Sequence, residues 1–386
     1  MTRHKICMFL IKLAMAGVIM FTTFEAALAL MCRMGRLDIS KPSYRFGNVN
    51  SRFWIETNPD FGVWHGPNSS YRHTTPSYDV FYKANSYGAR DKERTRESRG
   101  KKRVIVIGDS FTEGYGVEDG KRFTDVLESL TGIEHLNFGT AGSFGPTQYY
   151  LLYKTLAKQF EHDAVMVCLL PFNDFLDDDY EYGKIAYSTH YRPFFTGQYP
   201  DYKLIYSMKE PPREKKKVLE SVLREFTYTG NFIKRMKGLA RHHQASTKKG
   251  YAGYYDYTTE QWRRLNYVLS LIRREAAGKE VIVVTIPAIS DFERQESGDI
   301  SHLSAELASF CKTEHITYLD LLPGIQSAPE GCRSCYYKLD PHWNAFGSRV
   351  AADFILKNVK WYQSVTGNSQ KTDSVTSTAS LLPQKP

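Results

Sequence analysis

Cysteine is scarce in this 386-residue chain, six in all, and only Cys332 and Cys335 form a Cys-x-x-Cys pair. With no second pair, the spacing argues against a structural zinc site. The pair does not open a helix after a strand, as a thioredoxin-type redox motif would. Glycines at the dinucleotide-binding spacing are also missing, because Gly108, Gly114 and Gly116 do not give G-x-G-x-x-G. There are no internal repeats and no heptads, and no cofactor or metal is expected. Acidic residues are outnumbered, 42 against 51 Lys and Arg, for a formal net charge of +9. That balance favours anionic surroundings such as phospholipid head groups or acidic polysaccharide. No nucleic-acid recognition motif accompanies it, so nucleic acid is not an expected partner.

What is present is a run of β-branched residues, Val104-Ile105-Val106-Ile107, followed by Gly108-Asp109-Ser110-Phe111-Thr112-Glu113-Gly114. The run suits a strand buried on both faces, and Gly108 suits a turn in which a Cβ would obstruct the backbone. Ser110 then falls at the carboxyl edge of a sheet, where open α/β folds bind ligands. The amides at the following helix start can face a developing oxyanion. Downstream, Asp340-Pro341-His342-Trp343-Asn344 holds a carboxylate and an imidazole in one short loop, so that Asp340 can accept from Nδ1 while Nε2 faces Ser110. Two further segments follow predicted strands. One is the loop Phe138-Gly139-Thr140-Ala141-Gly142-Ser143, and the other is Pro171-Phe172-Asn173-Asp174, which offers a side-chain amide.

Taken singly, each segment has an ordinary reading. Ser110 could be a helix cap, Asn344 could simply start the last helix, and Asn173-Asp174 could be a turn. Their joint occurrence, in order and each after an apolar strand, points to a catalytic constellation. These four blocks, Gly108-Asp109-Ser110, Gly142, Asn173 and Asp340-x-His342, together resemble the SGNH hydrolases, the GDSL-type esterase superfamily. The resemblance spans about residues 103 to 360. It implies Ser110 as nucleophile, His342 as general base, Asp340 as its orienting partner, and an oxyanion hole made by the Ser110 amide, the Gly142 amide and the Asn173 side chain. Asn85-Ser86-Tyr87-Gly88-Ala89-Arg90-Asp91 also resembles the lead-in of a bacterial subgroup linked to envelope polysaccharide or lipid modification. Two positions depart from the family pattern: Pro171-Phe172 replaces the usual Gly-x, and Asp-x-His replaces the commoner Asp-x-x-His. The shorter form resembles the alginate-acetylation branch, which performs acyl transfer.

Apolar runs at 103–107, 133–137, 164–170, 281–286 and 316–319 alternate with helical patterns at 120–130, 147–160, 259–277 and 302–315. This order predicts an α/β fold, a three-layer α/β/α sandwich with a central parallel sheet of SGNH or flavodoxin-like type. The expected organisation is an N-terminal signal peptide or membrane anchor over 1–31, a lead-in over 32–102, a catalytic domain over 103–360 and a disordered tail over 361–386. Within the catalytic domain, an insertion at about 174–257 has a tyrosine-rich half and a basic half. It leaves the sheet beside Asn173 and reads either as a lid with aromatic faces for sugars or as a surface excursion with buried tyrosines. Ala27-Leu28-Ala29 resembles a signal-peptidase site. Cys332 is expected to pair with Cys335, or one of them with Cys311, to restrain the loop before Asp340. Cys168 reads as a core residue.

The functional expectation is an exported serine esterase, periplasmic or membrane-anchored, working through an acyl-enzyme on an ester-bearing envelope glycan or lipid. Two alternatives stand beside it: an O-acyltransferase of a cell-envelope polysaccharide, in which a sugar hydroxyl replaces water, and a catalytically silent envelope scaffold.

Overall fold

The structure, a computed structural model, describes residues 3–211, 218–245 and 251–373. Five parallel strands form the centre: β1 (Arg103–Gly108), β2 (Glu134–Asn137), β3 (Ala164–Leu169), β4 (Glu280–Thr285) and β5 (Thr317–Asp320), in the order β5-β4-β3-β1-β2. Side chains of each inner strand alternate between two cores, as a two-residue repeat requires. Ile105, Ile107, Val165, Val167, Val281 and Val283 enter one core, with residues of the helices Pro146–Thr155, Thr259–Glu275 and Leu303–Thr313. Val104, Val106, Met166, Cys168, Ile282 and Val284 enter the other, with the helices Phe123–Thr131 and Ala345–Asn358. The fold is therefore the expected three-layer α/β/α sandwich. Because β1 lies between β2 and β3, the chain reverses its direction of travel across the sheet at β1 and β3, and that switch point opens a crevice at their carboxyl ends.

The lead-in wraps this crevice. Its antiparallel hairpin of Ser70–Thr74 and Asp79–Lys83 builds a third apolar cluster around Phe53, Tyr78, Val80 and Tyr82, against which Tyr115 and Tyr337 pack. Arg90, fully buried, donates to the carbonyls of Gly114 and Val117, each at 2.6 Å, and so ties the lead-in to the segment after Ser110.

Two expectations need correction, and one left open is decided in part. The tail does not begin at 361, because a helix runs over Lys360–Asp373 and Tyr362 is buried with its hydroxyl 2.6 Å from His135 Nε2. A single aromatic docked on the apolar layer outweighs the polar composition around it; residues 374–386 lie outside the described residues. No disulfide forms among Cys311, Cys332 and Cys335, and all are free thiols. Cys311 belongs to one core and Cys335 to the other, so the sheet separates them. Of the two readings of the insertion, the one with buried tyrosines holds for part of the set, while Tyr199 stays exposed. Tyr187, Tyr191 and Tyr202 are buried, and their hydroxyls bond to Asp177, the Pro59 carbonyl and Glu260.

The N-terminal helix spans Arg3–Arg33, and its segment from His4 to Arg33 is long and apolar enough to cross a membrane, with a mean hydropathy of 2.1. The expected cleavage site at Ala27-Leu28-Ala29 lies inside this helix, and Leu28 is 3% exposed.

Candidate active site

Ser110 begins the short helix Ser110–Glu113 directly after β1. The turn demands glycine at 108, because a Cβ there would lie 2.2 Å from Thr112 Oγ1 and 2.8 Å from the Cys168 carbonyl oxygen. Asp109 caps the helix by accepting the Phe111 N–H at 3.0 Å, which leaves the Ser110 N–H free of the helix's own bonding. Burial pushes the Asp109 carboxyl up to about 6, even though the Phe111 N–H and the neighbouring His342 favour its charged form.

The loop carrying Asp340 and His342 is held from both sides. Tyr337 N–H donates to the His342 carbonyl at 3.0 Å, and Asn344 N–H donates to Cys335 O at 3.0 Å, closing a tight antiparallel turn. Asn344 also caps the following helix, accepting Gly347 N–H at 2.9 Å, so its capping role and the placement of His342 coexist. Trp343 is buried and meets Phe111 edge-on at 5.1 Å, and the Tyr337 hydroxyl donates to Gly116 O at 2.6 Å. The two bonding partners on the serine side lie within six residues of Ser110, so the loop is locked to the segment it must serve.

The result is a continuous chain of hydrogen bonds. Ser110 Oγ lies 2.8 Å from His342 Nε2, and His342 Nδ1 lies 2.6 Å from Asp340 Oδ1. That oxygen also accepts the His342 backbone N–H at 2.9 Å. Burial pushes the Asp340 carboxyl up, but the hydrogen bonds and charge of His342 outweigh it and hold the group below its ordinary value. An ionised Asp340 accepts from Nδ1–H, which leaves the Nε2 lone pair facing the serine hydroxyl. The Tyr115 ring lies 4.6 Å from the imidazole and Phe111 5.0 Å, so two aromatic rings pack against His342.

The expected oxyanion donors are arranged unequally. Asn173 lies in the helix Pro171–Asp177 that follows β3, not in a loop, and its Nδ2 donates to Asp109 Oδ2 at 3.2 Å. One bond to the residue preceding the serine orients the amide and leaves its second N–H available. Gly142 stands at φ +109°, in the region that favours glycine, and its N–H meets no protein acceptor among the described residues. The Ser110, Asp340 and His342 side chains are in direct contact, then, and Asn173 reaches them through Asp109.

Sequence reasoning passed over a second network behind the serine, centred on the fully buried pair Glu113 and His65. Glu113 accepts the Ala141 N–H, lies 3.1 Å from His65 Nε2 and receives the Trp54 indole N–H at 3.3 Å. His65 Nδ1 lies 2.8 Å from the Gly88 carbonyl. Burial alone would raise the Glu113 carboxyl, but His65, Arg90 and the Ala141 N–H hold it below its ordinary value. The only sequence signal was a glutamate three residues after the serine, on a turn that otherwise reads as apolar.

A strand-turn-helix serine, an imidazole and a carboxylate at the switch point of a parallel sheet form the arrangement that serine acyl-transfer chemistry requires. The family model described as "SGNH hydrolase-like domain, acetyltransferase AlgX" matches residues 258–385, a span that holds Asp340 and His342 but not Ser110. Over that third of the chain the sequence is similar to the SGNH hydrolase-like family. No curated protein matches it. Similar solved structures include a lipolytic protein of the G-D-S-L family from Veillonella parvula, at 13% identity over 67% of this chain and 98% of that one, with a TM-score of 0.34. Another is the lipase/acylhydrolase from Enterococcus faecalis, at 11% identity over 69% and 96%, with a TM-score of 0.37.

Proposed function

We propose that the protein is a serine acyl-enzyme catalyst acting on carboxylic esters carried by an envelope glycan or lipid. The observation that carries this reading is the unbroken contact from Ser110 Oγ through the His342 ring to Asp340. Ser110 Oγ attacks the ester carbonyl as His342 Nε2 takes its proton. Collapse of the tetrahedral intermediate breaks the bond to the leaving alkoxide, which receives that proton from His342. Asp340 fixes the tautomer and offsets the transient imidazolium charge. The Ser110 N–H, Gly142 N–H and the free Asn173 N–H serve the oxyanion. Water then attacks the acyl-serine, with His342 again as base, and releases the acid.

A second reading, O-acyl transfer to a sugar hydroxyl, uses the same steps with the hydroxyl in place of water. It is supported by the word "acetyltransferase" in the matching family's description. Export underlies both, as a periplasmic protein or one held by its N-terminal helix. The apolar helix and the basic surface support that placement.

The deciding experiment follows acetate release and acetyl transfer to added glycan in the same reaction, with a serine-reactive phosphonate as probe of Ser110. Labelling of Ser110 with acetate release in excess supports hydrolysis, and transfer in excess replaces it with the second reading. Failure of a folded protein to label at Ser110 overturns both and favours a scaffold.

A further inference from the structure

The N-terminal helix changes character along its length. Through its first two-thirds it projects from the body, with Val18, Ile19 and Met20 exposed, Met20 to 72%. From Phe24 onward it becomes part of the body. The Glu25 carboxylate accepts the backbone N–H groups of Tyr228 and Thr229 at 2.8 and 2.7 Å, supplying acceptors for orphan donors at the start of the helix Tyr228–Ala245. Phe24 meets Phe232 edge-on at 6.0 Å, and Leu28 and Cys32 are buried. Cleavage after Ala29 would remove Glu25 and Leu28 from these contacts, so the folded body uses the helix that a signal peptidase would discard.

The helix Tyr228–Ala245 then runs from this junction to the tyrosine-rich half of the insertion, where His242 Nδ1 lies 2.7 Å from the Tyr182 hydroxyl. Along the way it leaves Ile233, Met236 and Leu239 exposed at three-residue spacing, with Arg235 and Lys237 among them. The preceding helix Val218–Phe226 exposes Val218, Leu219 and Leu223. Apolar side chains interleaved with basic ones, on helices packed beside a membrane-length helix, suit the boundary between head groups and acyl chains.

A cavity of about 660 Å³ lies where these parts meet the catalytic loop. It is lined by Ala29 and Leu30 of the N-terminal helix, by Tyr228, by Leu339, and by the cations Arg33 and Lys41. Leu339 is the residue before Asp340. A volume of this order suits a small-molecule-sized ligand, within the roughly 300–1,000 Å³ of typical sites. Its lining combines apolar surface with positive charge and has no carboxylate among these residues.

We propose that this cavity is a lipid site. It takes the hydrocarbon chain of an anionic bilayer amphiphile against Ala29, Leu30 and Leu339, with the anionic head group facing Arg33 and Lys41, and thereby presents a bilayer-borne ester to the neighbouring catalytic loop. The substrate part of this proposal rests on the acyl-enzyme reading of Ser110; the binding site itself does not.

The test uses the full chain in phosphatidylcholine vesicles containing 20%, roughly the order of an anionic leaflet, of phosphatidylglycerol carrying a photoreactive acyl chain. A parallel arm carries the same chain on phosphatidylcholine. Peptide mapping should show the phosphatidylglycerol probe on residues 26–41 and around Leu339, at least about fivefold above the phosphatidylcholine probe. Ala29→Trp, which fills the cavity, and Lys41→Glu, which reverses its charge, should each lower that labelling by a similar factor while labelling of residues 6–22 persists. Labelling confined to residues 6–22, or labelling of the cavity unchanged by both variants, overturns the proposal. Phosphonate labelling of Ser110 is scored on the same samples. Its absence with cavity labelling present defeats the catalytic reading and leaves the lipid site standing, and the converse defeats the lipid site alone.

Discussion

The Glu113 carboxylate is bonded to the Ala141 N–H, and thereby fastens the loop carrying Gly142 to the helix that carries Ser110. The same carboxylate is held by His65 at 3.1 Å in an environment closed to solvent. Ser110 and the Gly142 loop are therefore positioned by a shared buried anion supplied from beneath, and by a histidine of the lead-in.

Replacing Glu113 by Ala is expected to cost about 3 kcal/mol or more of stability, because it leaves His65, the Trp54 indole and the Ala141 N–H without their acceptor. Glu113→Gln keeps the shape and one acceptor oxygen. It should fold, yet label at Ser110 with phosphonate several-fold more slowly than the wild type. Equal labelling rates in a folded Glu113→Gln protein would remove the positioning role, and thermal unfolding supplies the stability arm.

Asp340 fixes which imidazole nitrogen carries the proton. Asp340→Asn can donate to Nδ1, favouring the tautomer with its proton on Nε2, where it no longer accepts from Ser110. The expected loss in kcat for ester hydrolysis is on the order of 10³- to 10⁴-fold with little change in KM. Stopped assays on a p-nitrophenyl ester measure it, and a loss below tenfold would speak against the assigned tautomer.

Asn173→Ala removes one oxyanion donor and the tether to Asp109. A fall in kcat of roughly 10²-fold is expected for loss of one such donor, again with KM nearly constant. Asn173→Asp, which cannot donate when ionised, should be at least as slow. Recovery of most of the activity in Asn173→Asp would show that the side chain matters for packing rather than for the developing charge.

Glu128 lies away from the site and tests the electrostatics of the lead-in. Burial pushes its carboxyl up, but Arg94, which donates to it at 2.7 Å, and Lys92 outweigh that effect and bring it to about 2. A carboxyl whose folded value lies below its unfolded one stabilises the fold above the unfolded value of ~4.3, and that stability is lost as pH falls toward about 2. Glu128→Gln should therefore unfold more easily than wild type at pH 7, by roughly 2 kcal/mol, with the gap closing below pH ~3. Denaturant melts at the two pH values check it, and a pH-independent gap would assign the effect to packing.

The sandwich was legible because β1, β3 and β4 are continuous apolar runs and the intervening helices carry clear periodicity. Local chemistry also singled out the candidate residues: Ser110 follows a strand at a glycine turn, and Asp340 and His342 share a loop too short to separate them. The errors fell where local composition and long-range packing disagree. The stretch after 360 looks like a polar tail, yet Tyr362 reaches His135, 227 positions earlier in the chain. The tyrosine-rich insertion left a ligand face and buried packing both open in the sequence, and only long-range contacts decide for Tyr191 and Tyr202, whose hydroxyls find acceptors in the lead-in and a neighbouring helix.

By itself, then, the order of residues determined the five strands of the central sheet and the helices between them, and singled out the candidate serine, histidine and aspartate, because these depend on periodicity and on neighbours a few positions apart. Only the tertiary structure decided that His342 meets Ser110 across 232 positions, that His65 and Glu113 brace the Gly142 loop from below, and that Glu25 binds the N-terminal helix to the body. Those contacts join distant segments, and their free energy comes from burying charge and apolar surface together, a property of the assembled layers that no local stretch of sequence carries.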